Sequence, residues 1–229
     1  MVTKKNFSEQ ELNLISDVTH IALGNAGSAM AKMVRDEFLI KGVEIKAENP
    51  ENHFKLLDQN EKYHMLFTEV VGDLSAATYL LISPEVENIL CDVLLPGSML
   101  GRAEMREATM LEIDNIVIAA MVTKFSEILG QNIHGDVPAY QQKARTEVES
   151  EISHKLAEMD ACVSFRGRIT TFYKGISIEF ICFFDDSIVN AIKNFDFDKR
   201  RQLNVAPKSN SNSAKEEKGV SSFFKKIFS

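Results

Sequence analysis

Two long stretches of the chain place apolar residues three and four positions apart, the spacing of a helix with one buried face. The first extends from Ser8 to about Glu37, and Glu11, three residues after Ser8, completes a capping-box sequence at its start. Apolar segments typical of strands follow it, with a turn at Gly72-Asp73. The pattern predicts a strand at 41–46, a β-hairpin around 65–83 and a helix that begins at Pro84.

The same order of elements begins again after Pro96-Gly97. The pattern predicts a long helix at about 104–129, a short strand near Asn132, an acidic helix at 140–159, strands at 161–168 and 176–184, and a short helix at 186–193. Gly24-Asn25 matches Asp114-Asn115 at an offset of 90, and LISPEVENIL matches FFDDSIVNAI at an offset of 102. We therefore expect two copies of one α/β unit, at about 8–97 and 104–195, within one domain of residues 1–205.

The second long helix carries a polar pair on its outward face. At about 100° per residue, Glu112 and Asn115 point away from the apolar stripe, and Ala108 and Ala119 lie one turn before and one turn after the pair. Asparagine is unfavourable inside a helix, so the presence of Asn115 at this position calls for a functional or structural explanation. A low polar surface favours contact with another macromolecule over a concave small-molecule pocket. The alternative interpretation is that Glu112 and Asn115 are ordinary solvated side chains without a function. The predicted buried stripe consists of Met110, Ile113, Val117, Met121, Phe125 and Ile128.

The composition predicts a soluble, cytoplasmic protein. Of the 229 residues, 45% are hydrophobic and 26% charged, no apolar run approaches the roughly 18 residues of a membrane helix, and the N-terminus turns acidic before any signal-peptide pattern develops. The net charge of −7 disfavours nucleic-acid binding. No histidine or cysteine spacing indicates a metal site, and the cysteines are predicted to be reduced core residues: Cys91, Cys162 and Cys182.

Residues 206–229 differ from the rest of the chain in composition. The segment APKSNSNSAKEEKG predicts a flexible linker, and VSSFFKKIFS is an amphipathic, basic peptide. Peptides of this kind dock on other proteins or contact membrane surfaces. A segment that folds back on the body, or that has no partner, is the alternative.

Glu112, Asn115 and Pro138 resemble the signature of the CheC/CheX/FliY family of chemotaxis phosphatases. That motif is Asp or Ser, three residues, Glu, two residues, Asn, twenty-two residues and Pro, and its last three members have this spacing in the present chain. The resemblance covers about 8–195, because the CheC branch also has two internal copies. The first copy, in IALGNAGSAMAKM, is similar to the family's motif helix at Gly24, Asn25, Gly27 and Ala29.

The resemblance implies a duplicated, pseudo-twofold CheC-like fold of the α+β class. Its strands would form one mainly antiparallel sheet, with the two motif helices side by side and the helices collected on one face. The first motif is degenerate, since Ala22 occupies the glutamate position and Pro50 lies two residues beyond the proline position. In the second motif only the leading residue differs, being Ala108. We expect one active site with Glu112 and Asn115 as catalytic residues, and Asn25 as the candidate for a degenerate second site.

The substrate implied by the resemblance is the aspartyl phosphate of a CheY-type response regulator. The regulator holds its own Mg²⁺, so the phosphatase needs no cofactor and has only to place a water in line with phosphorus. A carboxamide offers donors and an acceptor without charge. We therefore assign the water to Asn115, and we assign Glu112 to docking on a lysine of the regulator's active site.

Three alternatives remain open on the sequence alone. A non-catalytic adaptor of the same family would bind CheY, or the deamidase CheD, without hydrolysis. A flagellar-switch protein of FliY type would carry a switch-binding domain in place of the linker and tail. An unrelated, duplicated α/β interaction domain would make the motif a coincidence.

Overall fold

The structure is a computed structural model that describes residues 7–46, 55–56, 59–159 and 163–196. The chain divides into two units after Asn194, and every described helix and strand belongs to the first of them. The predicted linker and tail at 206–229, together with Pro50 and Cys162, lie outside the described residues.

The described residues form five α-helices and seven β-strands. The helices are α1 (Glu9–Val34), α2 (Pro84–Leu94), α3 (Ala103–Leu129), α4 (Arg145–Glu158) and α5 (Ser187–Lys193), with a short 3-10 helix at Gly97–Met99. The strands are β1 (Phe38–Lys46), β2 (Lys62–Gly72), β3 (Ala76–Ile82), β4 (Ile133–Gly135), β5 (Ala139–Ala144), β6 (Val163–Thr171) and β7 (Ser177–Phe184). No described helix has both the length and the apolar character needed to cross a membrane.

All seven strands join one antiparallel sheet in the order β1-β6-β7-β3-β2-β4, and β4 and β5 pair with successive parts of β2. The hairpins of the two copies, β2–β3 and β6–β7, meet at the centre through β3 and β7. Each edge strand pairs with the hairpin of the other copy. This order is the same from either edge, so the predicted pseudo-twofold α+β fold is confirmed.

Helices α1 and α3 pack together on one face of the sheet, as predicted. On this face the ring of Phe125 lies 5.9 Å from Phe165 and 5.2 Å from Phe184, between centroids. Leu14 and Val18 of α1 line the same apolar space. The two long helices therefore share one core layer with β6 and β7.

Helix α4 lies on the opposite face, so the expectation that the helices collect on one side is wrong. Its Val148 and Ile152 belong to a second buried cluster with Tyr79 and Phe183 of the sheet. Strand β3 is buried at every position. Because successive side chains of a strand point to opposite faces, a strand apolar on both faces needs a layer of helix on each.

The predicted helix at 140–159 also begins later than expected. Residues Ala139–Ala144 form β5, which pairs with β2 from Lys62 to Phe67. Helix α4 starts at Arg145, and the Glu147 carboxylate accepts a hydrogen bond of 2.8 Å from the backbone N–H of Ala144. The hydrogen-bond ladder with β2 thus decides the conformation of a segment whose own composition favours a helix.

The ends of α1 and α3 follow from local chemistry. Ser8 and Glu11 form the predicted capping box, with Ser8 N–H donating to Glu11 at 2.6 Å and Glu11 N–H to Ser8 Oγ at 3.3 Å. Each of the two helices ends on a residue in the left-handed region, Gly130 after α3 and Arg35 after α1. Cys91 and Cys182 are free and buried, as predicted.

Candidate functional site

The outward face of α3 carries the polar pair that the sequence singled out. Asn115 is exposed and Glu112 is half-buried, and the alanines on either side, Ala108 and Ala119, are both exposed. Within the described part of the chain neither polar side chain has a hydrogen-bond or ion-pair partner. The pair stands on a low surface that another macromolecule can reach.

Glu112 has no ion-pair partner among the residues that the structure describes. Partial burial raises its pKa, and no charged neighbour contributes to the shift. A cation brought to this position by a partner would favour the ionised form. The environment of Glu112 is thus suited to an ion pair with an incoming lysine or arginine.

The inward face of α3 is mostly apolar, and its one buried charged residue is Asp114. This side chain is 0% exposed, and Thr68 of β2 donates a hydrogen bond of 2.5 Å to its Oδ2. Oδ1 is buried and has no partner among the described residues. Burial raises the pKa of Asp114 to about 7, opposed by the Thr68 bond. Asp114 thus ties α3 to the sheet at the position next to Asn115 in the chain.

The sequence reasoning missed Asp114, although a signal was present. The apolar stripe was assigned from Met110, Ile113 and Val117, and a residue four positions after Met110 lies on the same face. A charged residue at such a position is buried with a partner or as the neutral acid. The rest of the stripe is as predicted, except that Ile128 is half-buried and Leu129 takes the inward place.

A second buried polar contact fixes the start of α3. Glu87 of α2 is 5% exposed, and Arg106 Nε donates to its Oε1 at 2.8 Å while a second nitrogen of Arg106 contacts Oε2. Arg106 also donates to Asn88 Oδ1 at 2.6 Å. A bidentate arginine–carboxylate pair is geometrically specific, so it sets the position of α3 about two turns before Glu112.

The first copy uses its motif residues for packing. Ala22, at the glutamate position, is fully buried. Asn25 is half-buried, and its Nδ2 donates a hydrogen bond of 2.7 Å to the backbone oxygen of Ala120 in α3. A Cβ added to Gly27 would lie 2.3 Å from the ring of Phe38, so this glycine lets β1 approach α1. These residues hold α1 against its neighbours.

Pro138 interrupts the edge of the sheet beside α3. It lies between β4, which pairs with Val70–Gly72, and β5, which pairs with β2 up to Phe67. A proline has no N–H to contribute to a ladder, and at the interruption the N–H of Asp136 donates to Glu69 O at 2.8 Å. A Cβ on Gly135 would lie 3.2 Å from Ile118 of α3. The motif's proline therefore shapes the segment that packs against the helix of the polar pair.

The described residues contain no group of three or more His, Cys, Asp or Glu side chains arranged to hold a metal ion. The chemistry that these residues offer is that of one amide and one carboxylate on an accessible helix.

No family model and no curated protein matches the sequence, whereas several solved structures share the fold. FliY of Thermotoga maritima superposes with a TM-score of 0.59 at 14% identity, over 82% of this chain and 96% of that one. FliM in the FliM–SpeE complex of H. pylori gives 0.55 at 12% identity, over 82% and 95%. The chemotaxis protein CheX of Desulfovibrio desulfuricans gives 0.53 at 9%, over 74% and 99%. At these identities the likeness is one of fold, and it agrees with the fold that the motif resemblance implied.

Proposed function

We propose that this chain, which has the fold of the CheC/CheX/FliY family, hydrolyses the aspartyl phosphate of a CheY-type response regulator. The observation that carries the proposal is the accessibility of Asn115 and Glu112, two polar side chains on one helix face without partners in the described residues. A phosphorylated aspartate is already reactive, so catalysis requires placement of a water more than new covalent chemistry.

Asn115 is the residue to which we assign the water. Its amide can accept a hydrogen bond from the water through Oδ1 and donate to a phosphoryl oxygen through Nδ2. Because the amide is uncharged, it does not repel the phosphoryl group. The flanking alanines leave room for the regulator to approach α3, so the amide can enter a partner's site.

Glu112 sets the register of the docked helix. A lysine of the regulator's active site would provide the cation that Glu112 lacks within the described part of its own chain, and the ion pair would place Asn115 three residues further along the helix. The Mg²⁺ of the reaction belongs to the regulator in this proposal. Glu112 acts as a docking group, since the proton of the water can pass to phosphate or aspartate oxygens.

The experiment is to mix the protein with a phosphorylated CheY-type regulator and Mg²⁺ and to follow phosphate release. Asn115→Ala and Asn115→Asp are expected to reduce the rate to that of the regulator alone, with binding kept within severalfold for the alanine variant. Glu112→Ala is expected to raise KM more than it lowers kcat. Near-normal turnover by Asn115→Ala would refute the assignment.

Two variants serve as matched controls. Glu127→Ala removes an exposed carboxylate from the same helix, where it pairs with Lys124, and full activity is expected. Asn25→Ala removes the corresponding amide of the first copy. Because that amide is engaged with Ala120, we expect turnover to persist. Loss of turnover would instead support Asn25, the second candidate, as a catalytic residue.

A non-catalytic adaptor is the second candidate function. It is favoured by the packing role of the first motif, whose Asn25 amide is engaged with the backbone of α3. An adaptor would bind the phosphorylated regulator, or CheD, without accelerating phosphate release. Binding of the regulator together with unaccelerated release by the wild-type chain would establish this alternative, and a CheD pull-down would test the second partner.

A further inference from the structure

Two aromatic residues lie exposed at the tip of the β6–β7 hairpin. Phe172 is 56% exposed and Tyr173 is 80% exposed, and their ring centroids are 6.3 Å apart. Single exposed apolar side chains are ordinary, but adjacent large ones are typical of contact surfaces. Tyrosine and other aromatic residues are also enriched where binding energy is concentrated.

The backbone of this hairpin is held firmly in place. The carboxylate of Asp36, just after α1, accepts hydrogen bonds from Tyr173 N–H at 3.2 Å and from Lys174 N–H at 2.9 Å. The N–H of Phe172 donates to Glu37 O at 3.0 Å. These hydrogen bonds fix the backbone that carries the two rings. They also compensate the negative charge of Asp36. Preorganisation of this kind lowers the entropy cost of binding.

Arg35, next to the hairpin, has a strained backbone. It is the one non-glycine residue with positive φ, 53°, among the described residues. Helix α3 ends at Gly130 with φ 67° in the same conformation, which glycine adopts without penalty. The Arg35 side chain is exposed and makes no hydrogen bond within the described part of the chain. Because strained backbone positions cluster at functional sites, the Arg35 side chain is a candidate contact residue.

Arg35, Lys32 and Tyr173 line an open groove of about 480 Å³, together with Ser28, Ala31, Asp36 and Glu37. Lys174 adds a third cation, and its Nζ lies 3.5 Å from Arg35 O. We propose that the hairpin surface, formed by Lys32, Arg35, Phe172, Tyr173 and Lys174, binds an acidic segment of a partner protein. Carboxylates of the segment would meet the three cations while an apolar side chain of it covers the aromatic pair.

The surface is better suited to a peptide segment than to a lipid bilayer. A groove beside the rings accepts an extended chain, whereas a planar membrane contacts protruding residues. The net charge of −7 also repels an anionic bilayer. A short segment interacts with the local charges instead, where three cations outnumber the two carboxylates of the groove and Asp36 is already engaged by backbone N–H groups. The proposal rests on residues outside the polar pair of α3 and stands independently of the phosphatase function.

The test is a binding titration of the full chain with a fluorescent peptide in which leucines are spaced among glutamates. Tyr173→Ala is expected to weaken binding more than about fivefold, the effect of losing a central aromatic contact. Its backbone N–H remains, so the bond to Asp36 is kept. Arg35→Gly is expected to weaken binding by about threefold while raising the melting temperature, because the strain is relieved.

That combination separates a binding role from a structural one. Lys193→Ala, which removes a cation elsewhere on the surface, is the matched control and should bind like the wild type. The same peptide with glutamines in place of glutamates should bind weakly. The proposal is overturned if the wild type does not bind the acidic peptide, if Tyr173→Ala and Arg35→Gly bind it unchanged, or if vesicles of phosphatidylserine and phosphatidylcholine bind at this surface and the peptide does not.

Discussion

We predict that Asp114 makes the stability of this protein decrease as the pH rises towards neutrality. The carboxyl group is fully buried between α3 and β2, has one hydrogen bond from Thr68 and leaves Oδ1 without a partner in the described structure. Burial raises its pKa to about 7 in the folded state, against about 3.9 in an unfolded chain. The native state therefore binds more protons than the unfolded state between these two values.

The sign and the size of the effect follow from this difference. Where the native state binds more protons, the free energy of unfolding falls as the pH rises. The contribution of Asp114 to the free energy of unfolding is greatest below about pH 4. It decreases between about pH 4 and pH 7 and is constant at higher pH. The pKa of Asp114 differs by about three between the folded and unfolded states, which corresponds to about 4 kcal/mol. This is a large part of the 5–15 kcal/mol typical of a folded domain.

The substitution that isolates this effect is Asp114→Asn. The amide keeps an acceptor for the Thr68 hydroxyl and does not titrate, so any cost of its N–H groups is the same at every pH in this range. Urea unfolding at a series of pH values, followed by circular dichroism, gives the free energy of unfolding of both proteins. The wild type should lose about 4 kcal/mol relative to Asp114→Asn between about pH 4 and pH 8. Groups common to both proteins cancel in the comparison.

Asp92→Asn, which removes an exposed carboxylate from α2, controls for loss of a surface charge. Parallel curves of stability against pH for the wild type and Asp114→Asn would contradict the prediction, because they would mean that Asp114 titrates alike in the folded and unfolded states.

The remaining predictions concern the packing of α1. Asn25→Ala should lower the free energy of unfolding by about 1 kcal/mol, since it removes the hydrogen bond to Ala120; unchanged stability in denaturant titrations would mean that the bond does not form. Gly27→Ala should destabilise by about 1–3 kcal/mol, because its Cβ would overlap the Phe38 ring. Gly24→Ala, whose Cβ would meet nothing within 4 Å, should instead stabilise the helix by up to about 1 kcal/mol. The melting temperatures of the two glycine variants should therefore change in opposite directions.

The candidate site shows where reasoning from the sequence succeeded and where it failed. The exposure of Asn115 follows from its angular position on α3, because a helix buries one face and the spacing of apolar residues shows which. The hydrogen bond of Asn25 could not be inferred in this way. Its acceptor, Ala120 O, belongs to a helix 95 positions further along the chain, and only the packing of α1 on α3 brings the two together.

The sequence by itself determined the order of the elements apart from β5, the two copies and the inward face of α3. These properties depend on residues within a few turns of one another, so the periodicity of apolar side chains and the capping residues are sufficient to define them. The tertiary structure alone decided that each edge strand pairs with the hairpin of the other copy, that Ala139–Ala144 is a strand and that Asp114 meets Thr68. Those outcomes depend on backbone ladders and buried contacts between distant parts of the chain. The free energy of such contacts cannot be read from the composition of a local segment.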